Sequence, residues 1–359
     1  MGVSVCAFKG NPMINDLSKL GWTNFFTGQI DTLELETLIA VRLSEVRRRS
    51  VVAIKSDLSR LEIFLTGDHV ATDMAVGDFV LTDGERLIRV LDRRTLISRK
   101  AAGVASHAQL IAANIDTLFI TTSCNEDFNE ARLERYLAIA IEAETAPVIV
   151  ITKADMPQNA SVESYIDRAK AIYGAADVIA LNAKDENAFE TLSAYCSTGQ
   201  TIALVGSSGV GKSTLGRALT GLDLEIGEIR EDDAKGRHTT TSRSMHRMHA
   251  GGWLIDTPGM RELAIHDAAD GIATLFEDIT DLAAECKFSD CGHDTEPGCA
   301  VRKAIETGEI DQSRFERWEK LRIEDERNSE TVSQARERGR KFSKHVKRAM
   351  NAKKARRGG

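Results

Sequence analysis

Residues 201–216, TIALVGSSGVGKSTLG, constrain this chain more than any other stretch. The run 201–205 is β-branched and apolar and reads as a buried strand. GSSGVGKST follows at 206–214, and a helical pattern begins at Leu215. Strand, glycine loop and helix in that order are the context a phosphate-binding loop requires. Gly206, Gly209 and Gly211 let the backbone curl so that N–H groups point inward, with Ser207, Ser208 and Val210 carried between them. A helix starting near Lys212 adds the positive end of its dipole. Lys212 supplies a charge to the phosphates, Ser213 a hydroxyl for Mg²⁺, and Thr214 completes the pattern. An ordinary glycine-rich turn has no reason to satisfy every position, so the stretch predicts a bound nucleoside triphosphate.

A chain of 359 residues has room for two or three domains, at about 100–200 residues each. No apolar run approaches a membrane span, and the N-terminus lacks the basic start and apolar stretch of a signal peptide. Of six cysteines, Cys6, Cys124 and Cys196 are scattered while three fall between 286 and 299. That usage fits a reducing compartment rather than a disulfide framework. A cytoplasmic protein is expected, and nothing indicates an obligate interface, so a monomer is expected too. The net charge of −7 hides a basic arm: residues 331–359 hold eleven Lys/Arg and one acid. Such an arm is either a grip on a polyanion or a solvated tail.

Three textures follow one another along the chain. After an apolar anchor (Leu20, Trp22, Phe25, Phe26), the segments LIAVRL, SVVAIK, LEIFLT, DFVLTD and RLIRVLD read as five short strands between 38 and 92. Five strands in so short a span suggest an oligonucleotide-binding (OB-like) β-barrel. Its basic residues Arg47, Arg48, Arg49, Arg93, Arg94, Arg99 and Lys100 are either phosphate ligands or solvated charges. Residues 101–115 read as a linker. From 116 strands alternate with helices: DTLFITTS, a helix over 132–144, PVIVITKAD, a helix over 161–173, VIALNA, then the glycine loop. That alternation predicts a parallel α/β sheet with its ligand at the carboxyl ends of the strands.

Thr152, Lys153, Ala154 and Asp155 stand at the end of the second of those strands. A carboxylate there accepts hydrogen bonds from guanine N1–H and its exocyclic amine together, a pair of donors adenine lacks. The Lys153 stem lies along the base in this reading, and at Asn182-Ala183-Lys184 the Ala183 N–H reaches guanine O6. GRHTTT at 236–241 offers the Thr239 and Thr240 hydroxyls to Mg²⁺ and γ-phosphate. In WLIDTPG at 253–259, Asp256 holds the Mg²⁺ shell and Gly259 presents its N–H to the γ-phosphate. The base-reading motif precedes the phosphate loop, the reverse of an ordinary GTPase, which implies a circular permutation. Beyond it, Cys286, Cys291, His293 and Cys299 supply three thiolates and an imidazole. Four such ligands close a tetrahedron around one structural Zn²⁺ per chain.

These motifs together resemble the ribosome small-subunit-dependent GTPase A family of circularly permuted GTPases. The resemblance rests on VGD, RVLDRRTLISR, AANID, TKAD, GSSGVGKST, GRHTTT, DTPG and the Cys/His cluster, in that order between 38 and 326. It implies a barrel (1–104), a permuted GTPase domain (105–275), a mainly helical zinc domain (276–330) and the basic arm (331–359). It further implies GTP hydrolysis to GDP, Mg²⁺ with the nucleotide, binding to the small ribosomal subunit and its rRNA, and stimulated hydrolysis coupled to release late in maturation. Three positions depart from the family pattern. Thr152 replaces an Asn that braces the base and ties neighbouring loops, Asn182 replaces a Ser, and Met260 follows DTPG where Phe is usual. A thioether at Met260 cannot orient the attacking water. His238 is the nearest candidate for that task, beside Lys212, Thr239 and Thr240 as the groups facing the transferred phosphoryl. The alternative is an RNA-binding module stabilised by nucleotide without significant turnover.

Overall fold

Alternating branched apolar and polar residues suit a pleated, half-buried surface, and they set the first part of the chain into short strands. The computed structural model describes residues 16–66, 69–100, 108–185, 188–222, 243–256 and 265–329. Two short helices, α1 (Asn24–Thr27) and α2 (Thr32–Thr37), lead into β1 (Ile39–Val46), β2 (Ser50–Ile54), β3 (Arg60–Phe64), β4 (Phe79–Thr82) and β5 (Leu87–Val90). The strands pair antiparallel in the order β5-β4-β1-β2-β3. Val41, Leu43, Val51, Ala53, Ile63 and Val80 form their core. Leu20, Trp22 and Phe26 are buried as the anchor expectation requires. The rings of Trp22 and Phe26 lie 5.0 and 4.4 Å from that of Phe79. Phe25 instead faces outward.

The linker expected over 101–115 needs correction over 108–115, while residues 101–107 lie outside the described residues. β6 (Leu96–Lys100) pairs with β7 (Ala108–Ala113), and Ile111, Ala112 and Ala113 are fully buried. The alanines of this run carry little strand propensity of their own, and burial of the neighbouring side chains overrides it.

The α/β part runs β8 (Thr117–Ser123), α3 (Glu130–Glu142), β9 (Ala146–Thr152), α4 (Val162–Ile172), β10 (Asp177–Ala180), α5 (Ala188–Leu192), β11 (Thr201–Gly206), α6 (Lys212–Thr220), β12 (Ser244–Arg247) and β13 (Trp253–Asp256). Side chains of Asn129 and Ser161 cap the starts of α3 and α4. The sheet order is β10-β9-β8-β11-β13-β12, parallel except for β12. Every residue of β8 and β11 is buried, as strands covered on both faces must be. A bridge between Glu45 and Ser244 joins β1 to β12.

One compact unit contains residues 1–98 and 110–263, and a second contains 99–109 and 264–359. In the second, α7 (Ala269–Leu275), α8 (Glu277–Ala284), α9 (Ala300–Thr307) and α10 (Gln312–Ser329) are helical. Phe315, Trp318 and Leu321 line the buried stripe of α10. Arg314 grips Asp278 at 2.7 and 2.9 Å, and Asp325 accepts from the Ala268 N–H at 3.0 Å. Among the described residues no helix is long and apolar enough to cross a membrane.

The first unit is knit by a buried cation. The Arg42 side chain, 1% exposed, donates Nε–H to Gly77 O at 3.1 Å and Nη1–H to Leu20 O at 2.5 Å and to Thr201 Oγ1 at 2.8 Å. Its Nη2–H reaches Asn114 O at 2.8 Å. Burial pushes its guanidinium down to about 10 against the pull of Asp116, so it stays charged at neutral pH. The same joint holds Asp78, fully buried and gripped by Arg93 at 2.7 and 2.8 Å, and Asp116, which accepts from Thr201 N–H at 2.7 Å and from Arg94. Gly77 sits at φ +94, and a Cβ there would lie 2.1 Å from Ala113 O. Removing Arg42 takes a donor from four buried acceptors at once, of which Gly77 O keeps the Asn114 Nδ2–H at 3.0 Å. Arg42→Met is expected to cost about 3 kcal/mol or more, read as a lower urea midpoint of tryptophan fluorescence.

Candidate nucleotide site and metal centre

Because β10, β9, β8, β11 and β13 run parallel, their carboxyl ends open on one edge of the sheet. Among the described residues, that edge collects the TKAD loop, the Asn182–Lys184 loop, the glycine loop and Asp256. The glycine loop leaves β11 at Gly206, where φ is +142 and a Cβ would sit 2.2 Å from Thr121 O. Only glycine lets the loop pass so close to β8. Lys212 is buried at the start of α6, and its ammonium donates to Gly206 O at 2.8 Å and to Ser207 O. Thr152 at the end of β9 is 1% exposed, with its Oγ1 2.5 Å from Val210 O and 3.1 Å from Thr122 O. The hydroxyl therefore ties the TKAD strand to the phosphate loop, a tie that the loss of Asn in the sequence had put in doubt.

The loop after β9 continues through Lys153, at φ +58, to Asp155, which is exposed. Lys153 Nζ lies 3.8 Å from Asp127 Oδ2. Ala154 N–H donates to Leu181 O at 3.3 Å, drawing this loop to the one after β10. There Asn182 Oδ1 accepts from Lys184 N–H at 3.0 Å, which turns the chain at Ala183. Asp155 has no ion pair or hydrogen-bond partner among the described residues. At the end of β13, burial pushes the Asp256 carboxyl up to about 6, and its Oδ1 meets no hydrogen-bond partner among the described residues. A buried carboxylate oxygen left unpaired suits a cation, since a positive ion offsets the cost of burying the charge. His238, Thr239, Thr240, Gly259, Met260 and the basic arm 331–359 lie outside the described residues.

The Cys/His expectation meets a closed cluster. The ligand atoms of Cys286, Cys291, His293 and Cys299 all lie within 4.8 Å of one another. Cys286 Sγ is 3.8 Å from Cys299 Sγ, and His293 Nδ1 is 3.6 and 3.4 Å from those two sulfurs. A tetrahedral ion with S and N bonds of about 2.3 and 2.0 Å has edges of about 3.8 and 3.5 Å, so the cluster has the size a metal ion requires. Burial works to raise the Cys286 thiol, but the N–H groups of Ala300 and Val301 and the thiols of Cys299 and Cys291 bring it below its ordinary value. Burial and then Arg322 lower His293, favouring the neutral imidazole that binds metals. The rings of Phe315 and Trp318 stand edge-on to His293 at 6.4 and 5.7 Å.

Two features escaped the sequence reading. Arg93 and Arg94, candidate phosphate ligands there, are spent on Asp78 and Asp116 inside the joint. Arg132 of α3, unremarked in the sequence, donates to Ser207 Oγ in the glycine loop. Its signal was a cation in the first turn of a helix, where acids are the stabilising choice.

A glycine loop at the head of a central parallel strand, with base-reading loops arriving from strands earlier in the chain, defines a circularly permuted P-loop GTPase fold. The comparisons agree. A profile of the RsgA GTPase family matches residues 90–266. The small ribosomal subunit biogenesis GTPase RsgA of Mesorhizobium japonicum is 47% identical over 323 residues, covering 88% of this chain and 92% of that protein. The small ribosomal subunit biogenesis GTPase RsgA 2 of Vibrio parahaemolyticus is 43% identical over 344 residues, 95% of each chain. The crystal structure of YjeQ from Thermotoga maritima superposes with a TM-score of 0.58 at 25% identity, covering 79% of this chain and 97% of that one. That of YloQ, a circularly permuted GTPase, gives 0.57 at 22% identity, covering 84% and 96%. This chain belongs to the RsgA GTPase family.

Proposed function

We propose that this GTPase hydrolyses GTP on the small ribosomal subunit as a late assembly factor, with hydrolysis stimulated by the subunit and coupled to release. The gathering of the TKAD loop, the Asn182–Lys184 loop, the glycine loop and Asp256 on one edge of the sheet carries this reading. In it Asp155 selects guanine and the Ala183 N–H meets O6. The N–H groups of residues 206–214 and the Lys212 ammonium take the phosphates. Ser213, Asp256 and the hydroxyls of Thr239 and Thr240 would hold Mg²⁺, which would offset phosphate charge. The Asp256 oxygen, without a hydrogen-bond partner among the described residues, suits the cation that turnover requires, and this supports hydrolysis over a nucleotide that only stabilises the fold. His238 aligns the water, Gly259 meets the γ-phosphate, and the Cys/His cluster holds one structural Zn²⁺.

The domain division that goes with this reading is an N-terminal extension and OB-like barrel at 1–104, the GTPase domain at 105–275, a zinc domain at 276–330 and a basic arm at 331–359. The five-strand order β5-β4-β1-β2-β3 is consistent with such a barrel. Single-turnover hydrolysis measured alone, with purified small subunits and with large subunits tests the function. Small subunits are expected to raise the rate at least about tenfold, the order expected when a catalytic group is brought into alignment. Equal rates in all three conditions would overturn the proposal.

A further inference from the structure

We propose that Arg132 is a positioning residue of the nucleotide site: a second cation, beside Lys212, that braces the glycine loop through Ser207 and adds charge for the polyphosphate. The inference rests on the GTP reading above. Asn129 caps α3, and its Oδ1 accepts from the Arg132 N–H at 3.0 Å, which puts Arg132 in the first helical turn. A cation there opposes the helix dipole, and the position is one where an acidic side chain commonly closes a capping box. The local choice is therefore unfavourable, and unfavourable local choices concentrate where function compensates them.

The side chain does not recover this cost from a carboxylate. Glu130, in the same turn, pairs with Arg168 at 3.0 Å, and Asp127 faces Lys153. Asp256 ends β13, on the opposite side of β11 from β8 and the helix that follows it. Among the described residues Arg132 has no ion pair, and its guanidinium meets Ser207 Oγ in a half-buried setting. Lys212 bonds the carbonyl of that same Ser207. Two cations thus converge on one residue of the loop, with the N-terminus of α6 adding a third positive source. Like charges gathered in a partly desolvated place repel one another. A polyanion relieves that repulsion, and each added phosphate charge relieves more of it.

The prediction is a loss graded by ligand charge. Equilibrium binding of GTP, GDP and GMP is measured at low and high salt for the wild type, Arg132→Gln, Arg132→Lys and Ser207→Ala. Arg132→Gln is expected to weaken GTP about tenfold, GDP about fourfold and GMP less than about twofold, with a shallower salt dependence. Arg132→Lys keeps the charge and is expected to recover most of the GTP affinity. Ser207→Ala frees the guanidinium and is expected to give a smaller loss with the same grading, which also serves should Arg132→Gln fail to fold. Equal losses for all three nucleotides, or none, would overturn the assignment, since a brace that only shapes the loop cannot count phosphates. A wild type that binds no guanine nucleotide would overturn the GTP reading instead.

Discussion

Asp155→Asn is expected to invert base preference: GTP affinity falls by roughly 30- to 1,000-fold while xanthosine triphosphate affinity rises. In the proposed site the carboxylate would accept from guanine N1–H and the exocyclic amine at once, and a pair of charge-assisted hydrogen bonds is worth about 2–4 kcal/mol. An amide in its place still accepts from N1–H with its oxygen but turns its NH₂ toward the exocyclic 2-amine, a donor against a donor, whereas the 2-oxo group of xanthine accepts from that NH₂. The loop that carries Asp155 is set for such recognition. It hangs from β9, whose residues 148–152 are at most 1% exposed. Its start is fixed by the Thr152 hydroxyl to the glycine loop and its middle by Ala154 N–H to Leu181 O. Asp155 itself is exposed and has no ion pair or hydrogen bond to a described residue, so both its oxygens are available to accept. Competition binding with GTP, ATP and xanthosine triphosphate reads the result. A variant that keeps the wild-type order of the three would remove Asp155 from the base site.

The strands, the glycine loop and the Cys/His cluster were legible in the sequence because each is written locally. TIALVG followed by GSSGVGKST needs no distant partner to be recognised, and three cysteines and a histidine within fourteen residues declare themselves. The Arg42 joint was not legible, because its partners stand 22, 35, 72 and 159 residues away. In the sequence Arg42 is simply an arginine in a strand. Arg93 and Arg94 were open to misreading for the same reason, since only the fold reveals the buried Asp78 and the Asp116 that consume them. Thr152 shows the opposite case. The departure from Asn was visible, but its consequence was not, because the short hydroxyl reaches the Val210 carbonyl only once β9 and the loop after β11 are neighbours across β8.

Loss of one metal ligand should be felt across the helical unit and not at the nucleotide. On the proposed reading, Cys291→Ala would leave Cys286, His293 and Cys299 as three ligands, too few to close a tetrahedral structural site. The loop 286–299 holds little apolar surface of its own, with Phe288 41% exposed, so on the proposed reading an ion would fix its path between α8 and α9. Structural zinc contributes on the order of 10 kcal/mol to folding of small domains at neutral pH, more than the packing of Phe315, Trp318 and Leu321 can replace. The variant is expected to bind no stoichiometric zinc and to lose amide-exchange protection over residues 265–329. Its GTP affinity should stay within about twofold of wild type, because the glycine loop and Asp155 belong to the other compact unit. Since thiolates and neutral imidazole are the binding forms, acid should release the ion from the wild type as protons compete for its ligands. Elemental analysis gives the metal content and hydrogen exchange the folding. A wild-type protein without zinc, or a Cys291→Ala protein that keeps full protection over 265–329, would show that the helices hold together on packing alone.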